Sequence, residues 1–268
     1  MKKLIRSIVR LVVALVVAVI LGAIVVKLFA DQAVRVAVEK AGSRALDVPV
    51  EVEKARLSIL SGTLDLRDLT VANPPGYQGK SLLTLDRGDI QVDAQSLLSD
   101  TITIEDLKLD GMRVFLEQKG LENNLREVLK SLRGDGQTSG KRLYVDNLEI
   151  TNITVDVKLL PIPGRADAMA FELTPIKMTH LGHSQPLDIA ALASTVLVAV
   201  ATEISEQGGG VLPQEMLNDL TGVLNKALDI GRIIFGNGQD GASGSADLRQ
   251  GITEGLKGLL KTGGDEEQ

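Results

Sequence analysis

Hydrophobic positions change their spacing along the chain, and each change marks a different element. Leu11 to Val26 is an unbroken run of 16 apolar or Gly residues, and Ile8 to Phe29 extends it to 22 with Arg10 and Lys27 near the ends. At about 1.5 Å per residue, 22 helical residues reach roughly 33 Å, enough to cross the hydrocarbon core of a bilayer. The end charges can snorkel to the headgroups. After Asp31, Ala33, Val34, Ala37, Val38 and Ala41 recur at helical spacing, predicting an amphipathic helix over 31–47. Pro49 forbids its continuation. Val48, Val50 and Val52 then alternate with polar residues, as in a strand with one wet face.

From there to about residue 160, one pattern appears three times: apolar-x-apolar-x-[Asp/Asn]-Leu-x-apolar-x-[Asn/Gly]. The copies span Leu64–Asn73, Ile102–Gly111 and Leu143–Asn152, with starts 38 and 41 residues apart. Such periods mark stacked supersecondary units. Within each copy the apolar positions switch from even to odd, or the reverse. A strand with period two would turn the second pair outward. An extra residue, a β-bulge at Arg67-Asp68 and its counterparts, restores the facing and bends the strand. The expected result is a curved antiparallel sheet over 48–182. One of its walls is lined by Leu64, Leu66, Leu69, Val71, Ile102, Ile104, Leu107, Leu109, Leu143, Val145, Leu148 and Ile150. A short helix is expected at 121–132 and a flexible loop at Gly134–Gly140. Residues 168–179 form a further strand.

Beyond Pro186 the pattern is helical again over 186–231. Leu187–Ile204 is Ala-rich and mostly apolar, but its unbroken part, Ile189–Ala201, is too short for a second span. Pro213 to Ile230 carries an apolar stripe through Met216, Leu217, Leu220, Val223, Leu224, Ala227 and Leu228. Residues 236–268 form a Gly-rich, acidic tail. The fold class expected is α+β: an N-terminal transmembrane helix, a curved β-sheet groove and C-terminal helices.

Charge sharpens this picture. Residues 1–30 hold five basic groups and no acidic one, while the whole chain carries −6. Basic residues before the apolar run place the N-terminus in the cytoplasm and export the body. The run ends Val26-Lys27-Leu28-Phe29-Ala30, a poor signal-peptide cleavage site, so a retained anchor over 1–30 is favoured over a cleaved signal. The remaining 24 basic and 35 acidic residues, with 2% aromatics, argue against nucleic-acid binding. The chain has no cysteine, which removes disulfides and thiolate chemistry.

Candidate chemistry is sparse. His180 and His183 are the only histidines, and a metal site would need a third ligand such as Asp188 or Glu172. An exposed polar loop is the preferred reading. No Ser-His-Asp order, nucleophile elbow or P-loop occurs, and Gly208-Gly209-Gly210 reads as a hinge between helices. No cofactor and no enzymatic activity are expected.

Three stretches carry a family resemblance. They are Gly-x-Leu-x-Leu-x-x-Leu-x-Val-x-Asn-Pro-x-Gly-Tyr at Gly62–Tyr77, Asp-Ile-x-Val-Asp-Ala-x-Ser-Leu-Leu at Asp89–Leu98, and Ile-x-Ile-x-x-Leu-x-Leu-Asp-Gly at Ile102–Gly111. With the preceding anchor and helix, residues 1–160 resemble the N-terminal region of AsmA-like proteins, relatives of TamB and the bridge-like lipid-transfer proteins. The resemblance implies a single-pass inner-membrane anchor, a periplasmic sheet and an apolar groove that binds or helps transfer phospholipid acyl chains. It offers no catalytic motif. The chain is too short to bridge an envelope alone. A non-catalytic assembly role, docking another envelope protein, is the alternative expectation.

Overall fold

The computed structural model describes residues 29–58, 61–119, 122–132, 141–159, 168–183 and 187–235, with side chains as far as Asn225. Most of the expected anchor over 1–30, the Gly134–Gly140 loop and the 236–268 tail lie outside the described residues. Among those described, a helix α1 over 29–46 precedes nine strands and three further α-helices. The strands are β1 (Val50–Ser58), β2 (Thr63–Ala72), β3 (Ser81–Val92), β4 (Thr101–Lys119), β5 (Glu122–Asn123), β6 (Arg142–Thr151), β7 (Ile153–Lys158), β8 (Ala168–Leu173) and β9 (Ile176–Leu181). The helices are α2 (Asn124–Ser131), α3 (Ile189–Gln207) and α4 (Gln214–Phe235). Together they make a mixed α+β fold on one large, open, curved sheet.

The sheet is not wholly antiparallel, which corrects the expectation. β1 to β4 form an antiparallel meander, but β6 and β7 both run parallel to β4. The reason is the connection. The stretch from Lys119 to Arg142, containing β5 and α2, is long enough to carry the chain back to the end where β4 began. β6 and β7 then act as one long strand, and β8 and β9 return antiparallel along it. The sheet therefore has a near end, where β1 finishes and β2, β4 and β6 begin, and a far end at Ser81, Glu117 and Lys158.

The second and third sequence repeats lie side by side. Ile102 pairs with Leu143, Ile104 with Val145, and so on to Asp110 with Thr151, each pair 41 residues apart. The first repeat is shifted by five residues, since Leu64 is level, through Ile90, with Leu107.

A crease crosses the whole sheet at one level. Glu53, Asp68, Asp86, Gly111 and Asn152 drop out of the ladders while the pairs on either side keep their register. In each strand, apolar or Gly positions three apart then share a face: Val52 and Ala55, Leu66 and Leu69, Leu85 and Gly88, Leu109 and Met112, Ile150 and Ile153. In an uninterrupted strand they would lie on opposite faces. Asp68, Gly111 and Asn152 sit at φ 52°, 72° and 53°, a region that Asp, Asn and Gly tolerate. A second, shorter crease passes through Glu105, Asp146 and His180, the last at φ 55°. β3 absorbs it by a register shift at Gln91–Val92. The expected kinks are therefore present in all three repeats, in two creases, but not as the expected bulges: opposing residues leave the ladder together, so outside the β3 shift no extra residue is inserted.

The covered face of the sheet packs against α2, α3 and α4 in one core that includes Leu116, Val145, Leu148, Ile150, Val155, Val200, Ile204 and Leu220. A smaller cluster, Val52, Ala55 and Leu66, lies under Val34 and Val38 of α1. α1 also seals the β1 edge. Ser43 Oγ, Glu39 Oε1 and Asp31 Oδ1 accept the amides of Val50, Val52 and Leu57 at 2.8, 3.1 and 2.6 Å. An unsealed edge strand is a template for unwanted pairing.

Candidate functional site

The twelve wall residues follow from the alternation and the creases. Leu66, Val71, Ile104, Leu107, Leu109, Leu143, Val145, Leu148 and Ile150 are buried, the last three almost completely. Leu64, Leu69 and Ile102 are half-buried. Gly88 lies in the row between Leu66 and Leu109, where a Cβ would make ordinary contact with Leu66 Cβ at 3.4 Å and Leu109 Cδ2 at 3.5 Å. Leu143 is buried where β6 bridges to Leu187, just before α3.

Coverage of this wall is uneven. α4 buries Met216, Leu217, Leu220, Val223 and Leu224, and an Arg126 Nε–Asp219 Oδ2 ion pair of 2.8 Å ties it to α2. α3 runs from the near end towards the first crease. There Gln207 Oε1 accepts the Thr174 amide at 3.0 Å and Gln207 Nε2 donates to Thr174 Oγ1 at 2.8 Å. The near-end wall residues Leu64, Ile90 and Ile102 are left partly exposed, as is Leu69 beyond the crease, although Leu107 and Leu143 beside them are buried. The apolar wall is thus filled by the protein's own helices towards the far end and opens at the near end. Two open depressions elsewhere, of about 630 and 700 Å³, are lined by none of the twelve.

α3 is the one helix among the described residues long and apolar enough to cross a membrane, by length and composition alone. It extends to Gln207, three residues past the sequence expectation. Ile189 to Thr202 contains no charged residue. Every residue from Ile189 to Val196 is half-buried, whereas Leu197, Val200 and Ile204 are buried.

The polar clusters are structural. Glu117 accepts the Gln78 and Gly79 amides at 2.7 and 2.8 Å. Asn124, fully buried, accepts from the Glu117 amide and donates to Asn73 Oδ1 and the Phe115 carbonyl. This network, which no sequence motif announced, holds the Asn73–Gly79 turn against the far end. Burial, and then the Glu127 carboxylate, push the nearby Tyr77 phenol well above its ordinary range, so it stays protonated. His183 contacts Asp146 at 3.2 Å and stacks near Tyr144, with His180 beside it. Among the described residues no group of three or more His, Asp or Glu could hold a metal ion.

Compared with known proteins, residues 1–160 match the model of the AsmA family. No curated protein matches the chain. The matched region ends just after β7, so α3 and α4 lie outside it.

Proposed function

Since the chain belongs to the AsmA family, a membership that suggests an envelope-related and generally non-enzymatic role, we propose that it is a membrane-anchored envelope protein that takes up phospholipid acyl chains on the apolar wall of its sheet. The anchor is the 1–30 segment, with the body on the periplasmic side of the inner membrane. One observation carries the reading: the wall is continuous from β2 to β6, yet it stays partly exposed at Leu64, Ile90 and Ile102, at the end where the N-terminal segment joins. An acyl chain entering there replaces water with apolar contact, worth about 0.8 kcal/mol for each buried CH₂. Deeper entry requires α3 to shift, and α3 is a cover that hydrocarbon would tolerate.

Native mass spectrometry of the detergent-extracted chain tests this. Phospholipid bound to the folded protein supports the proposal. A second reading, an assembly protein docking another envelope protein, is favoured by the filling of the far-end wall by α2 and α4. A lipid-free chain carrying one stoichiometric protein partner would establish that reading instead.

A further inference from the structure

Three apolar features converge on the near end of the sheet, and none of them is among the twelve wall residues. The first is the entry of the N-terminal apolar run. Phe29 is 72% exposed, and two residues later Asp31 is fixed to the Leu57 amide. Leu57 pairs with Leu64 at the start of β2. The second is Leu98, 93% exposed, in the 3-10 turn directly before β4. The third is the first half of α3, which begins just after the Leu143–Leu187 bridge at the start of β6.

That half-helix is unusual for one resting on a protein. A helix packed on a core buries one face and wets the other. Ile189 to Val196 does rest Ala190, Leu192 and Val196 on the core, but its other face carries no charge. Its hydroxyls need no water: Ser194 Oγ donates to the Ala190 carbonyl at 3.0 Å and Thr195 Oγ1 to the Ala191 carbonyl at 2.8 Å. Asp188 Oδ1 caps the first turn by accepting the Ala191 amide at 2.8 Å. A segment whose polar groups are satisfied internally can leave water without penalty. The second half, Leu197 to Ile204, is held in the core, which argues against a full span.

We infer that the near end of the sheet is a bilayer-seating surface, in which the first half of α3, Leu98 and Phe29 dip into the outermost acyl layer of the membrane. The occupant is lipid because the N-terminal apolar segment joins the domain at this same end. The nearby charges are mixed, with Lys141 and Arg142 beside Asp93 and Asp100, so apolar burial drives the contact and an anionic headgroup is not required. The inference does not depend on acyl chains entering the wall.

The chain has no Trp, so a single introduced indole reports its surroundings without background. The full chain, reconstituted into phosphatidylcholine vesicles, is compared as Ile189→Trp, Leu98→Trp and, at the far end, Ala168→Trp. Emission at 189 and 98 should shift to the blue and lose intensity when doxyl-labelled phosphatidylcholine is included, while emission at 168 should not change. Leu98 is so exposed that its variant keeps the test alive should Ile189→Trp fail to fold. Unquenched emission at both near-end positions overturns the inference, even where native mass spectra show retained lipid. So does equal quenching at 168. A blue shift that follows protein concentration and ignores the doxyl label would assign the surface to a second copy of the chain instead.

Discussion

Asp31 Oδ1 accepts the Leu57 amide at 2.6 Å, across 26 residues of sequence. This bond pins the last part of β1 to the residue where the N-terminal apolar run gives way to α1. It thereby fixes which end of the sheet lies next to the N-terminal apolar run. Asp31→Ala should free the first turn of α1 and destabilise the domain by about 1–2 kcal/mol, the range for a charged acceptor at a partly buried amide. Hydrogen exchange checks this: the Leu57 amide should lose protection while β6 keeps its own.

Gly111 holds the crease in the longest strand. At φ 72° a Cβ would meet Asp86 Oδ2 at 2.5 Å. Gly111→Ala should therefore destabilise by about 1–3 kcal/mol, from left-handed strain together with displacement of Asp86. Denaturant melts of the two proteins give the value. A loss under about 0.5 kcal/mol would mean that the crease is not stressed at this position.

Asp110, beside Gly111, accepts from Thr151 Oγ1 at 2.8 Å and Asn152 Nδ2 at 2.6 Å, and these bonds hold its carboxyl below the ordinary range. A depressed folded-state pKa means that the stabilisation is fully present above the unfolded value and is lost as pH falls through the folded one. The melting difference between the wild type and Asp110→Asn should therefore be largest near neutrality. It should shrink on acidification through and below the carboxylate range. A difference that grows in acid would contradict the assignment.

Asp219 ties α4 to α2 through Arg126, and both side chains are about four-fifths buried. Removing one partner leaves a poorly solvated charge, although Glu122 Oε1 still accepts from Arg126 at 2.6 Å. Asp219→Ala should loosen α4 by about 1–3 kcal/mol. Limited proteolysis should then cut around Gln214–Asn225 before it cuts the sheet.

The sequence made the creased strands readable because each crease moves the apolar positions by one, as Leu66 to Leu69 and Ile104 to Leu107 show. The second and third repeats matched because they became neighbours in identical register. Strand direction was not readable, since a two-residue alternation looks the same in parallel and antiparallel pairs. The five-residue offset of Leu64 was hidden for a related reason: the hairpin after Asn73 sets it, not the repeat. The covering of Ile150 and Val145 by α3 and α4 is a tertiary fact. The apolar stripe on α4 announced a buried face but not its partner. The Glu117–Asn124–Asn73 network joins residues up to 51 apart, and nothing local marks them.

The contrast along the wall provides the most direct test. Ile104 is buried at 6% exposure, so a charge there would unfold the domain at a cost of several kcal/mol and reveal little about ligands. Leu64 and Ile102 are accessible without unfolding. A photoreactive amino acid placed at each of them in the full-length, membrane-inserted chain should form phospholipid adducts. The same group at Lys108, exposed on the opposite face of β4, should form none. Lipid adducts absent from Leu64 and Ile102, or equally abundant at Lys108, would contradict the claim that the near end of the apolar wall receives acyl chains.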